Sequence, residues 1–202
     1  MLEVRLPDRH APALSRRSAE IATMLGVTRT DLAGVAARPH RSVRIPIAPG
    51  SIVLITGPSG SGKSTMLRAI VDAARGEDLC IVEPPTRLPA HRPCCDLVGR
   101  SAPASMRVLA SAGLADVRAM VRTPAHLSDG QRSRLRTAIA LDRAALMARP
   151  ARMVVVVIDE FAANLDAITA MGLAAALRKR AAEHGNVVFV IASPREDIAA
   201  PL

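Results

Sequence analysis

Three apolar runs without polar alternation lie along the chain, at residues 52–55, 153–158 and 187–192. A strand with one solvent-facing side alternates apolar and polar residues, whereas a strand covered on both faces does not. Segments with the periodicity of amphipathic helices alternate with these runs, at about residues 63–74, 130–147 and 167–184. The pattern predicts an α/β fold whose parallel sheet is covered by helices on both faces.

Weaker signals fill the rest of the chain. In chain order they predict two short helices at 15–36, two strands separated by the turn pair Pro49–Gly50 within 43–56, a short strand at 79–82, a proline-rich loop at 83–105 and one or two helices at 105–121. We therefore expect a helical N-terminal addition over residues 1–42 and an α/β domain over residues 43–202, with a short helical insert at about 97–127.

The composition adds a strong positive charge without identifying a partner. The net charge at pH 7 is +9, and nearly all basic residues are Arg, since the only lysines are Lys63 and Lys179. Such a charge permits an acidic partner, but Arg-rich and Ala-rich chains are also typical of GC-rich genomes. No apolar run approaches the roughly 18–20 residues of a membrane-spanning helix, and the first residues lack the apolar core of a secretory signal. A cytoplasmic location is the expectation.

One segment introduces nucleic-acid binding as a further class of function. Within "AEIATMLGVTRTDL", Ala22, Gly26 and Leu32 have a spacing reminiscent of helix-turn-helix units. Only two helices are predicted there, and the same spacing is common in helical hairpins. Contact with nucleic acid is therefore possible but not favoured.

The clearest chemical motif is a glycine-rich loop between the first apolar run and the first strong helix. The stretch "GPSGSGKST" fits the phosphate-loop pattern G-x-x-x-x-G-K-[ST]. Glycines let backbone N–H groups close around a phosphate, and the helix start adds its positive end. Lys63 is expected to reach the β- and γ-phosphates, and the Ser64 hydroxyl to bind Mg²⁺. The candidate nucleotide-binding residues are Gly57, Pro58, Ser59, Gly60, Ser61, Gly62, Lys63, Ser64 and Thr65.

A second motif follows the run at 153–158, where two acids end the predicted strand. Asp159 would lie beside the phosphate loop and hold Mg²⁺ directly or through water. Glu160 is placed to activate the attacking water as a general base. Two solvated acids at a strand end are the alternative, which the upstream phosphate loop makes the weaker interpretation. Together the motifs indicate a site for a nucleoside triphosphate and Mg²⁺, which a nucleotide or small-molecule kinase would share with an ATPase.

Two further segments complete an ordered set of motifs. "LSDGQ" precedes an Arg-rich helical segment, and "DEFAANLD" continues from the two acids. The set resembles the nucleotide-binding domain of ATP-binding cassette (ABC) ATPases over about residues 44–198, with "LSDGQ" similar to the family signature LSGGQ and Asp166 in the D-loop. The resemblance implies a P-loop NTPase fold and a head-to-tail dimer, in which each ATP lies between one subunit's phosphate loop and the other subunit's signature.

By this resemblance, the signature residues that bind the nucleotide are Ser128, Asp129, Gly130 and Gln131. Ser128 and the backbone N–H of Gly130 would contact the γ-phosphate across the interface, and Asp166 would link the two sites. The arginines at 132, 134 and 136 would add positive field. The alternative is a segment that only begins and caps a helix.

Within the family, the chain is most similar to a soluble subgroup whose members occur alone or fused to acetyltransferase-like domains. This implies an ATPase that dimerises on ATP and uses the closure to switch a protein partner. The alternative is the ATP-binding subunit of an ABC membrane transporter. Three features count against that alternative: the absence of the family's glutamine that couples to membrane domains, the short span between phosphate loop and signature, and the end at Leu202.

Three departures from the family pattern affect the expected site. The only glutamine is Gln131, so Asp96 is the candidate for the family's Mg²⁺- and water-sensing Gln. Pro194 stands where the switch His is expected, so Ser193 or Arg195 substitutes for it or hydrolysis is slow.

The third departure concerns the base of the nucleotide. No aromatic residue precedes Phe161, so the adenine lacks the ring that usually stacks on it. Either His40 or Arg41 stacks on the adenine instead, or the choice between ATP and GTP is loose.

Overall fold

A computed structural model describes residues 1–7, 15–28, 31, 42–148 and 152–202. Strands β1 (Leu2–Arg5) and β2 (Ser42–Ile45) pair antiparallel in a small sheet. A second sheet is parallel and has the order β3-β6-β5-β4, formed by β3 (Ile52–Thr56), β4 (Cys80–Val82), β5 (Val154–Ile158) and β6 (Val187–Ser193). The predicted α/β fold with a parallel sheet is therefore confirmed.

The helices of the described residues follow the predicted order. They are α1 (Arg16–Met24), α2 (Lys63–Gly76), α3 (Ala102–Ser111), α4 (Val117–Val121), α5 (Asp129–Met147) and α6 (Ala167–Glu183), with short 3-10 turns at Cys94–Leu97 and Pro124–His126. Helices α3 and α4 both lie within the predicted insert. The proline-rich stretch before them is irregular apart from the turn at Cys94–Leu97, as the missing periodicity predicts.

Both faces of the parallel sheet are buried, which explains the lack of alternation in its strands. On β5, Val154, Val156 and Ile158 pack into one core with α5, α6 and the insert. Val155 and Val157 point the other way, into a second core with α2, β1 and β2. Because alternate residues of one strand enter two different cores, every position has to be apolar.

The register of the sheet brings the predicted motifs to one edge. Ile158 pairs with Ile191, and Thr56 pairs with Ser193, so β3, β5 and β6 end side by side. Val82, the last residue of β4, pairs with Val156. The carboxyl ends of the four strands therefore meet at the edge where ligands bind in open α/β sheets.

The N-terminal segment differs from the predicted helical addition. Residues 2–5 form strand β1, which pairs with β2 and buries Leu2 and Val4 against α2. The alternation of "LEVR", with only two inward residues, is too short to be distinctive in sequence. Helix α1 has no buried residue, and Leu32 of the helix-turn-helix spacing lies outside the described residues. None of the described helices is both long and apolar enough to cross a membrane.

Candidate active site

The phosphate loop joins the end of β3 to the start of α2. Gly60 and Gly62 have φ angles of 77° and 98°, a region that residues with a side chain rarely adopt. A Cβ added to Gly57 would lie 2.9 Å from the Oγ of Ser61. The loop therefore needs glycine for its backbone path, and a Cβ at Gly57 would in addition require the Ser61 side chain to rotate away.

The Lys63 side chain folds back over the loop. Its Nζ donates hydrogen bonds to the carbonyl oxygens of Gly57, at 2.7 Å, and of Pro58, at 2.8 Å. An ammonium group has three donors, so these two bonds hold the charge inside the loop and leave a third donor for a phosphate oxygen. Lys63 is also the first residue of α2, whose start adds partial positive charge at the same place.

One cavity unites the phosphate loop with the two acids. Its volume is 360 Å³. The lining residues are Ser59, Gly60, Gly62, Lys63, Ser64, Thr65, Asp159, Glu160, Ala163 and Pro194. Sequence reasoning predicted that Asp159 and Glu160 lie beside the loop and that Pro194 lies near the phosphates, and the structure brings all three together.

The turn after β5 holds the two acids in a constrained geometry. The backbone N–H of Glu160 donates to Oδ1 of Asp159 at 2.9 Å, and Glu160 has a φ of 52°. A left-handed conformation is uncommon for a residue other than glycine and is found disproportionately at functional sites. The next residue, Phe161, anchors the turn because its N–H donates to the carbonyl of Ala192 at 2.8 Å.

The donor set at this cavity suits Mg²⁺. Mg²⁺ prefers oxygen ligands and is held in nucleotide sites by one or two protein oxygens together with phosphates and water. The Ser64 hydroxyl and the Asp159 carboxylate line the same cavity, which matches that requirement. Among the described residues no group of three or more His, Cys, Asp or Glu side chains is placed to hold a metal.

A second cleft adjoins the cavity and contains an acid that sequence reasoning missed. The cleft has a volume of 490 Å³, and Ser64 and Asp159 line it as well. Glu83 lies in its wall, 3.7 Å from Nη2 of Arg75. The signal in the sequence was an acid directly after the strand candidate at 79–82. The sequence does not identify Glu83 as a site residue, because only the register of the sheet shows that this strand ends next to β5.

The structure does not support Asp96 as the residue that takes the place of the missing glutamine. Asp96 lies exposed in the 3-10 turn Cys94–Leu97 and lines neither the cavity nor the cleft. Its carboxylate lies 3.6 Å from the Sγ of Cys95, and its carbonyl accepts a bond from Arg92. The turn precedes helix α3 of the insert.

The signature "LSDGQ" forms the start of α5. Ser128 and Gln131 make a reciprocal capping box, with Gln131 N–H donating to Ser128 Oγ at 3.3 Å and Ser128 N–H donating to Gln131 Oε1 at 3.0 Å. Asp129 forms an ion pair with Arg132 at 2.6 Å. Gly130 occupies a helical position in the first turn, where the N–H has no intrahelical acceptor.

The signature does not line its own subunit's phosphate cavity. Ser128, Asp129, Gly130 and Gln131 are absent from the lining of the 360 Å³ cavity. Gly130 instead borders a space of 20 Å³, which shares Asp159, Glu160 and Ala163 with the cavity. The exposed helix start is therefore available to another molecule.

The arginines that follow the signature bind nearby carbonyl oxygens. Arg132 donates to Leu127, Arg134 donates to Gly113, and Arg136 donates to Thr86. These bonds fasten α5 to the insert and to the loop after β4. The positive charges that we expected to face the nucleotide are thus partly used in hydrogen bonds within the subunit.

Asp166 caps α6. Its Oδ1 accepts a hydrogen bond from Thr169 N–H at 2.9 Å, and the bonds from Thr169 lower the pKa of this carboxyl. Asp166 therefore remains ionised at neutral pH. It lies six residues after Glu160, at the end of the loop that begins with the proposed base.

Ser193, predicted as a catalytic residue, lies inside the protein and does not line the phosphate cavity. It is fully buried, and its Oγ donates to the carbonyl of Phe161 at 2.8 Å and accepts from Arg195 N–H at 3.1 Å. Both functions of the hydroxyl are used inside the protein. His40 and Arg41, the predicted base-stacking residues, lie outside the described residues, and Phe161 is too buried to stack on a base.

A phosphate loop at one strand end and an acid pair at a nearby strand end define a P-loop ATPase. A family model described as an AAA ATPase domain matches residues 40–191. The aliphatic sulfonates import ATP-binding protein SsuB 1 of Xanthomonas axonopodis pv. citri is 33% identical over 179 residues, which cover 75% of this chain and 67% of that protein. SsuB of Ralstonia nicotianae is 36% identical over 146 residues, covering 63% of this chain and 49% of its own length. The chain thus spans about half the length of that relative.

Solved structures share the fold. The ATP-binding cassette MJ0796 bound to ADP and Pi, in a dimeric post-hydrolysis state, superposes with a TM-score of 0.58 at 23% identity, covering 80% of this chain and 82% of that one. A putative ABC transporter ATP-binding protein from Pyrococcus furiosus gives 0.57 at 20% identity, covering 79% and 84%. The chain belongs to the ATPases that the family model describes, and among them it is an ABC-type nucleotide-binding domain.

Proposed function

We propose that the chain hydrolyses ATP at a composite site between two copies, and that the resulting closure switches a protein partner. The observation that supports ATP hydrolysis is the single cavity shared by Lys63, Ser64, Asp159 and Glu160. The observation that supports a second copy is that none of residues 128–131 lines this cavity. A site built from both halves needs another subunit to bring a signature to the phosphates.

Each residue of the cavity has a distinct proposed task. The loop N–H groups and Lys63 bind the phosphates. Ser64 and Asp159 hold Mg²⁺, which neutralises charge that develops on the phosphates during transfer. Glu160 accepts a proton from the attacking water. The partner's copy of the signature contributes the Ser128 hydroxyl and the Gly130 N–H at the γ-phosphate, because a helix start is a favourable place for an anion.

Slow turnover is part of the proposal. Pro194 borders the cavity where the family has its switch His, and proline offers neither a side-chain donor nor a backbone N–H. Ser193 cannot replace that donor, since its hydroxyl is used elsewhere. ATP binding and closure can persist without the donor, whereas stabilisation of the transferred phosphoryl group is reduced.

The test is the mass in solution of Glu160→Gln with and without ATP and Mg²⁺. Removing the base should trap ATP, so a shift from monomer to dimer that depends on nucleotide is expected. The control is Glu183→Gln, which removes the same charge at an exposed position at the end of α6 and should behave like the unaltered protein. A Glu160→Gln protein that binds ATP tightly yet stays monomeric would exclude the homodimer.

A second candidate is the ATP-binding subunit of an ABC transporter. It is favoured by the relatives, because both SsuB proteins are import ATP-binding proteins by name. The two candidates differ in the partner that responds to closure. Affinity purification of Glu160→Gln with ATP from solubilised membranes and from the membrane-free fraction distinguishes them: recovery of a multi-span membrane protein supports the transporter, and recovery of a water-soluble partner supports the switch.

A further inference from the structure

Two segments are fastened together beside the phosphate cavity. The first, called here the D-loop segment, comprises residues 161–166, and the second comprises residues 192–197, the last two residues of β6 and the four that follow. Near its start the D-loop segment is held through Phe161, by bonds with Ala192 and Ser193. At its far end the carbonyl of Leu165 accepts a bond of 2.5 Å from Nη1 of Arg195.

Arg195 is itself fixed in place by Asp197. Its Nε and Nη2 donate to the two carboxylate oxygens of Asp197, at 2.9 and 2.5 Å. Such a forked pair fixes the orientation of the guanidinium plane as well as its position. The Arg195 side chain is 21% exposed and that of Asp197 is 41% exposed, so the pair lies partly sheltered against the D-loop segment. The hydrogen bonds from Arg195 lower the pKa of the Asp197 carboxyl, and the same pairing raises the pKa of the Arg195 guanidinium.

The fastened segments connect the phosphate cavity with the end of the D-loop segment. Pro194, between the two residues that hold the D-loop segment, lines the cavity. At the other end, Leu165 directly precedes Asp166, which caps α6. The left-handed φ of 57° at Ala162 costs conformational energy that surrounding contacts have to offset. Pro194 is therefore connected to Asp166 through neighbouring residues, because Arg195 follows Pro194 and bonds Leu165, which precedes Asp166.

We propose that Arg195 is a positioning residue, which transmits nucleotide binding at the Pro194 side of the cavity to Leu165 and Asp166. The inference rests on the proposed function for its nucleotide, since ATP is the ligand that reaches Pro194. It does not require the homodimer, because all of the contacts lie within one subunit. Without the guanidinium of Arg195, the D-loop segment would keep the hydrogen bonds at Phe161 and lose the hydrogen bond at Leu165.

The experiment measures amide hydrogen exchange of residues 162–170 with and without ATP and Mg²⁺, in the Glu160→Gln background. The variants are Arg195→Ala and Arg195→Lys, and the matched control is Arg178→Ala, an exposed arginine on α6. Melting temperature and ATP affinity are measured for each, so that a folding defect is recognised. Lys keeps the charge but cannot form the fork, and should restore the response only in part.

The expected result is that ATP slows exchange at 162–170 in the parent and in Arg178→Ala, and that Arg195→Ala reduces this protection by about tenfold. ATP affinity should stay within about twofold, because Arg195 does not line the cavity. Equal protection in Arg195→Ala and the parent would overturn the inference, as would a parent in which ATP leaves these amides unchanged. A parent that stays monomeric while its protection still depends on Arg195 would support the inference and refute the homodimer.

Discussion

Substituting Gly130 with Ala separates a structural role of the signature from a role at a subunit interface. A Cβ built on Gly130 meets no atom within 4 Å, and the residue is in the first turn of α5. Ala favours a helix over Gly by about 0.8–1 kcal/mol in a helix interior. The isolated subunit should therefore be stabilised by up to about 1 kcal/mol, which raises the melting temperature by about 2–4 °C for a chain of this size.

The same methyl group has the opposite effect if a nucleotide held by another copy approaches the Gly130 N–H. It occupies space that the γ-phosphate needs, and it weakens a hydrogen bond to a charged group worth about 1.5–3 kcal/mol. At each of the two sites, ATP-dependent association should weaken by about 10- to 100-fold. The assay is analytical ultracentrifugation of Glu160→Gln with and without Gly130→Ala, over a range of protein concentrations with ATP and Mg²⁺.

Gly76→Ala is the matched control for this pair of effects. Gly76 is the last residue of α2, and a Cβ there also meets nothing within 4 Å. It should leave association unchanged. If Gly130→Ala raises the melting temperature and dimerises as tightly as the parent, the signature does not contact nucleotide, and the capping box is its whole function.

Three further predictions follow from the contacts around the cavity. Glu83→Gln should raise the Mg²⁺ concentration for half-maximal ATP binding by about tenfold, whereas Asp96→Asn should leave it unchanged. Titration of Mg²⁺ in the presence of a fluorescent ATP analogue measures this concentration. A rise for Asp96→Asn and none for Glu83→Gln would make Asp96 again the candidate for the missing glutamine. Ser193→Ala should destabilise the protein by about 1–3 kcal/mol in urea unfolding, because the buried carbonyl of Phe161 and the partly buried N–H of Arg195 lose their partner; unchanged stability would mean that these bonds do not form in solution. Arg195 lowers the folded-state pKa of Asp197. The contribution of Asp197 to stability is therefore complete above the unfolded pKa near 4 and is lost as the pH falls through the lower folded value. Asp197→Asn should lower the melting temperature at pH 6 by more than at pH 3, and a decrease that is independent of pH would contradict the pairing.

Local chemistry explains which parts of the site could be read from sequence. The phosphate loop is one continuous segment, and its glycines and Lys63 act through neighbouring backbone groups. The acid pair follows directly after an apolar run that could be assigned to a buried strand. In both cases the residues that cooperate are adjacent in the chain, so no knowledge of strand order was needed to propose them.

From residue 43 onward, the sequence by itself determined the order of strands and helices, the phosphate loop and the acids that follow β5, because composition and spacing within single segments carry that information. Tertiary structure alone decided that Glu83 rather than Asp96 lines a cleft with Asp159, since the order β3-β6-β5-β4 sets which strand ends are neighbours. It also decided that Ser193 is buried while Pro194 lines the cavity. Successive residues at a strand end point in opposite directions, and only the packed sheet shows which of the two directions leads to the phosphates.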